Sequence, residues 1–175
     1  MSVQKKKSLI LDVVAMIVLV ILDQITKYLA VLHLKDKPAF NIINGVLELN
    51  YLENKGAAFG MLQNQKIFFV FVATIILGVI AYILYKTPDT KKYTIMHILL
   101  TLIAAGAIGN MIDRIRLDYV VDFIYFVLIN FPIFNVADIY VTIATVILIF
   151  VLLFYYKESD LGFISFKQKK YREIK

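Results

Sequence analysis

The chain has 175 residues, of which 61% are hydrophobic, with a mean hydropathy of +0.77 and a net charge of +6. That composition excludes an ordinary water-soluble domain, and the length excludes a string of several domains. The absence of cysteine excludes disulfides and thiolate metal sites but leaves the compartment open.

Apolar stretches near 8–30, 67–85, 93–112 and 135–156 approach the roughly 20 residues that cross the hydrocarbon of a bilayer. Backbone groups find no water in lipid, so each stretch is expected to be a helix. The first has the basic start of a signal peptide. It is, however, too long, contains Asp12 and Asp23, and lacks a small-x-small cleavage site, which makes it a retained span. Within it, Asp23 is placed to pair with Lys27 one turn on, and Asp12 to meet Lys5–Lys7 by snorkelling.

The connection 31–66 contains "AFNIINGVLELNYLENKGAAFG", in which Asn44-Gly45 between β-prone runs reads as a hairpin turn. Leu47, Leu49 and Tyr51 alternate with Val46, Glu48 and Asn50, giving a ribbon with one apolar face. Its evident partners in sequence are the membrane surface and a substrate. The connection 113–134, "DRIRLDYVVDFIYFVLINFPIF", is too apolar for a free loop and is expected to pack back at the interface. "AAGAIG" at 104–109 reads as a close-packing helix face. His33 and His97 are isolated in sequence, and no metal site is expected.

Lys and Arg gather before the first span, in "YKTPDTKKY" between the second and third, and in the basic tail 157–175. The positive-inside rule then puts both termini in the cytoplasm and the two long connections outside. The tail is read as a partner of anionic lipid rather than of nucleic acid, since no aromatic-interleaved basic fold accompanies it. The expected fold is an all-α membrane protein: a single integral domain over 1–175, with four transmembrane helices and a small extracytoplasmic β-ribbon between helices 1 and 2.

Asp23, Asn54, Asn110, Asp113, Arg114, Asp122, Asn135 and Asp138 all fall at the outer ends of spans or on the outer connections. Ionisable groups at membrane depth are costly and are functional candidates. Asn110 and Arg114 share one helical face, as do Asn135 and Asp138. Asp122 and Asp138 are the pair suited to chemistry, because two adjacent carboxylates tend to share one proton and so supply a base and an acid. On spacing alone a structural polar cluster remains an alternative. So does a small proton-coupled transporter, although the acids lie near one face and no internal repeat is visible.

Five blocks carry a resemblance: "LDQITK" at 22–27, "NKGAAFG" at 54–60, "GNMIDR" at 109–114, "VVDFI" at 120–124 and "FNVAD" at 134–138. In this order and across four spans, the chain resembles the bacterial lipoprotein signal peptidases, intramembrane aspartyl peptidases of the type II signal peptidase family. The resemblance implies a four-helix membrane enzyme that cleaves prolipoproteins just before a lipid-modified cysteine. The chain is expected to lie in the bacterial cytoplasmic membrane as a monomer, and no cofactor is expected. It makes Asp122 and Asp138 the catalytic pair and gives Asn54, Gly56, Asn110, Arg114 and Asn135 roles in substrate binding or site support. Asp23 and Asp113 are read as structural polar residues. Ile139 departs from the small polar residue expected after the second acid, leaving that acid's hydrogen-bond partner open.

Overall fold

A computed structural model of the chain describes residues 1–56 and 64–164. Most of the "NKGAAFG" block and of the basic tail therefore lies outside the described residues. Four long apolar helices dominate: α1 (Val3–Leu34), α2 (Lys66–Lys86), α3 (Thr94–Leu117) and α4 (Val136–Phe150), the last continued by a π-helical turn over Val151–Tyr155. The all-α membrane fold with a small sheet is borne out.

The helix ends follow from local chemistry. Ser2 caps α1, its hydroxyl accepting the Lys5 N–H at 3.1 Å. Asp118 ends α3 in the left-handed region at φ +69°, where Asp is tolerated better than most residues, and its carboxylate meets Lys66 Nζ at the start of α2 at 2.6 Å. Asn135 and Asp138 form a reciprocal capping box at the start of α4.

The helices are unequal. Half of the most apolar window of α3 is buried inside the protein, against 6% for α1 and 11% each for α2 and α4. α3 is thus the central post, and the other three present Ile, Val, Leu and Phe outward to lipid. Gly106 and Gly109 make close packing of the post possible: a Cβ on Gly106 would stand 2.5 Å from the Ala137 carbonyl oxygen, and one on Gly109 would overlap the Asp23 carboxylate. Gly106→Ala is expected to push α4 off α3 and cost about 1–3 kcal/mol of overpacking, read as a lower melting temperature in detergent. An unchanged melting temperature would show that the contact tolerates a methyl group.

The sheet has a third strand. β1 (Phe40–Ile43) and β2 (Leu47–Asn54) form the hairpin, with Gly45 at φ +71° in its turn, and β2 also pairs antiparallel with β3 (Val120–Phe126). This corrects the expectation that the ribbon's partners are the membrane surface and a substrate: the 113–134 connection packs back onto it, and does so as a strand. The apolar side chains Leu49 and Tyr51 pack on the cluster of Ala30 and Leu34 from α1 with Val121 and Phe123 from β3. Because strand residues alternate, burying Val121 and Phe123 against α1 turns Val120 and Asp122 to the opposite side.

At the far end of the bundle, two expectations are corrected. Asp12 does not depend on Lys5–Lys7 for a contact: its Oδ2 lies 2.6 Å from His97 Nδ1, so His97 is not isolated. Lys5 instead donates to the carbonyls of Leu84, at 2.7 Å, and Thr87, tying α1 to the end of α2. An ammonium on a flexible stem reaches the carbonyls left open at a helix C-terminus, and α1–α3 packing brings the imidazole to the acid.

Candidate active site

At the sheet end, β3 supplies Asp122, the start of α4 supplies Asn135 and Asp138, and α3 supplies Asn110, Asp113 and Arg114. Asn135 contacts both acids. Its side-chain amide donates to Asp122 Oδ1 at 2.6 Å, and its backbone N–H donates to Asp138 Oδ2 at 3.1 Å as half of the capping box. The same helix cap that starts α4 therefore fixes the acid pair.

Asn54, diagonal to Asp122 across the β2–β3 ladder, donates to its Oδ2 at 2.7 Å. Asn110 donates to Asp138 Oδ1 at 2.7 Å. These two partners answer what binds Asp138: Asn110 and the Asn135 backbone do so, while the Ile139 side chain lines the adjoining cavity. Asp122 is 1% exposed, and burial together with the charge of Asp138 pushes its carboxyl up to about 7; the hydrogen bonds from Asn54 and Asn135 oppose that only in part.

Both acids border a cavity of about 470 Å³ whose walls include Asn54, Gly56, Phe69, Arg114, Pro132 and Thr142. Gly56 presents its carbonyl to Arg114 Nη2 at 3.1 Å, while its N–H bonds to Asn54 Oδ1 at 2.9 Å. The Arg114 guanidinium also stacks 4.5 Å from the centre of the Phe69 ring, leaving a planar fork held beside the cavity. A second space of about 340 Å³ is bordered by Arg114, Asn110 and Asp138 too and runs between α2 and α4 over Gly106 and Ala107 of α3.

Asp23 and Asp113 lie behind this site rather than in it. Lys27 Nζ sits 3.0 Å from a carboxylate oxygen of each and donates to Asn110 Oδ1 at 2.8 Å. Asp23 also accepts the Ala137 N–H, at 3.0 Å, and Asp113 the Val121 N–H, at 3.2 Å. Each thus anchors the backbone beside one of the candidate catalytic acids. Sequence reasoning found the Asp23–Lys27 pair but missed the reach of Lys27 to Asp113 and Asn110. It also missed Gln24, which donates to Asp113 Oδ1 at 2.9 Å. The available signal was the position of both residues inside "LDQITK".

The family model described as signal peptidase (SPase) II matches residues 15–154. This chain belongs to the signal peptidase II family. It is 41% identical over 152 residues to the lipoprotein signal peptidase of Streptococcus pyogenes serotype M5 (strain Manfredo), covering 87% of this chain and 97% of that one. It is 44% identical over 136 residues to the lipoprotein signal peptidase of Caldanaerobacter subterraneus subsp. tengcongensis, covering 77% of this chain and 90% of the relative. Among solved structures, a bacterial membrane enzyme determined by the in meso method at 2.3 Å resolution superposes with a TM-score of 0.73 at 33% identity, over 91% of this chain and 94% of that one. A second such enzyme, at 1.9 Å, gives a TM-score of 0.71 at 34% identity over 83% of this chain and 94% of that one. The signal peptidase II family removes signal peptides from prolipoproteins, so this chain is a multi-pass membrane protease of that kind. The transporter alternative falls with it.

Proposed function

We propose that this peptidase is of the aspartic type and cleaves prolipoproteins immediately before a lipid-modified cysteine, with Asp122 and Asp138 as the catalytic pair. The observation that carries the reading is the single residue Asn135 in contact with both acids at the edge of one cavity. Asp122, pushed up to about 7, holds the shared proton, and ionised Asp138 is the base. Asp138 takes a proton from a water whose oxygen attacks the scissile carbonyl carbon, while Asp122 gives its proton to the carbonyl oxygen. The tetrahedral diol then collapses: the C–N bond breaks, the amine nitrogen takes the proton held by Asp138, and a diol hydroxyl returns one to Asp122. Both carboxyls end as they began.

In this reading the signal helix occupies the space between α2 and α4, whose floor is kept low by Gly106 and Ala107, and its cleavage point reaches the acid pair from there. Asn54, Arg114 and the Gly56 carbonyl border the cavity where substrate peptide groups and the lipidated cysteine are received. The test is the purified protein with a synthetic precursor peptide. Cleavage before a diacylglyceryl-cysteine, and none in the unlipidated analogue, is expected by mass spectrometry; equal cleavage of both would remove lipid recognition. In the same assay kcat/KM is expected to fall about tenfold per pH unit above roughly 7, as Asp122 loses the proton it must donate, and to fall again in acid as the base is protonated. A flat profile between pH 7 and 9 would contradict an acid with that pKa.

We place the sheet end on the outer face of the bacterial inner membrane and both termini in the cytoplasm, with the protein acting as a monomer. The support for the orientation is the Lys and Arg distribution. Because the chain has no cysteine, single cysteines at Gln65, beside the sheet end, and at Lys91, at the opposite end, are both exposed and free of background. Impermeant thiol reagents applied to intact cells, with the outer membrane permeabilised where there is one, are expected to label the first and spare the second. The reverse pattern would invert the topology.

A further inference from the structure

A third cavity, of about 540 Å³, opens at the end of the bundle away from the Asp122–Asp138 pair. Its walls are one face of α1 from Gln4 to Leu19, one face of α3 from Thr94 to Leu102, and the α2–α3 connection at 88–91. It shares no lining residue with the space between α2 and α4, so a substrate helix lying there does not fill it.

Three buried polar atoms in its walls have no hydrogen-bond partner among the described residues: His97 Nε2, Thr101 Oγ1 and Asp89 Oδ2. His97 is 8% exposed and Thr101 4%, and they sit one turn apart on the α3 face that lines the cleft. A buried polar group without a partner has lost its hydration for nothing in return, so these atoms call for an occupant that bonds to them. Two details give its chemistry. The mouth is polar, with Gln4, Asp89, Thr90 and Lys91, whereas the deep end is formed by Ala15, Leu19 and Leu102. From Gln4 to Leu19 the helical rise amounts to about 22 Å, which is half of the roughly 40–45 Å bilayer including headgroups. The cleft therefore has the depth and the polarity gradient of one leaflet.

We propose that this cleft binds one phospholipid of the adjacent leaflet, an anionic phosphodiester lipid whose headgroup carries hydroxyl donors. Lys91, which makes no ion pair among the described residues, meets the phosphate. The free Oδ2 of Asp89, whose other oxygen accepts from Ser8 at 2.6 Å, takes a headgroup hydroxyl. Deeper in, the Thr101 hydroxyl donates to a glycerol ester carbonyl. His97 Nε2, on the ring whose Nδ1 lies 2.6 Å from Asp12 Oδ2, is the polar contact left for the other ester. One acyl chain then runs along Ala15 and Leu19. The site is independent of the proteolytic mechanism.

The full-length protein, purified and stripped of lipid in detergent, is titrated with phosphatidylglycerol and followed by native mass spectrometry. One retained lipid per chain is expected, with phosphatidylcholine, which has no headgroup donor, binding about tenfold more weakly. Thr101→Val and Lys91→Gln, one near-isosteric and the other at an exposed residue, are each expected to weaken phosphatidylglycerol about tenfold while leaving cleavage activity unchanged. Three results would overturn the proposal: no retained lipid, equal retention of both lipids by wild type and variants, as a nonspecific lipid belt gives, or full competition by glycerol phosphate, which would make the ligand a free phosphate ester.

Discussion

Asp122→Asn and Asp138→Asn are each expected to lower turnover of a lipidated precursor by about 10⁴-fold, the loss typical of removing one member of a catalytic unit. Asn keeps the shape of Asp but can neither take a proton from water nor give one to a carbonyl oxygen. The double variant is expected to be no worse than either single, because either loss already disables the pair. Folding should change little in Asp122→Asn. The amide confronts one of the two donors, Asn54 or Asn135, which costs, but it also removes a carboxylate that burial disfavours. Asp118→Asn, at a position where the side chain is 75% exposed and paired with Lys66, is the matched control and is expected to cleave normally. Substantial turnover by either Asp122→Asn or Asp138→Asn would eliminate the two-aspartate mechanism. Loss of activity accompanied by loss of the folded state would return both acids to a structural role.

The spans were legible because length and hydropathy alone decide what crosses a bilayer, and the blocks around Asp122 and Asp138 named the acid pair. What the sequence hid depends on register between elements distant in the chain. "VVDFIYF" is a continuous apolar run interrupted by one acid, so its period does not distinguish a strand from an interfacial segment. Only pairing with β2 reveals the alternation that sends Val121 and Phe123 one way and Asp122 the other. The Asp12–His97 contact joins residues 85 apart, and no local rule brings them together. Lys27 is the intermediate case: an i,i+4 acid was visible, while its second acid and its amide on α3 required the rotation of α1 about its own axis.

That hub carries the other large expected effect. Lys27 is 3% exposed, and its single positive charge lies between two carboxylates, Asp23 and Asp113, that are 0% and 3% exposed. Removing one partner from a buried ionic group leaves uncompensated charge, which costs about 3–5 kcal/mol and, for a chain of this size, lowers the melting temperature by roughly 10 °C. Lys27→Met, similar in volume and without charge, is expected to show that loss in detergent. It also takes from Asn110 Oδ1 its donor at 2.8 Å, so among the described residues that oxygen keeps only the Asn135 amide at 3.2 Å. A further tenfold drop in kcat with KM little changed is expected, roughly what a loosened supporting contact costs. Neutralising the stranded acids separates the two consequences. The triple variant Lys27→Met, Asp23→Asn, Asp113→Asn replaces the whole ionic cluster by uncharged groups and is expected to recover most of the stability, since the penalty comes from unpaired charge. It should not recover kcat, because Asn110 still lacks its lysine. If the triple variant regained both, Lys27 would be purely structural; if Lys27→Met melted like the wild type, the cluster would not hold the helices together at all.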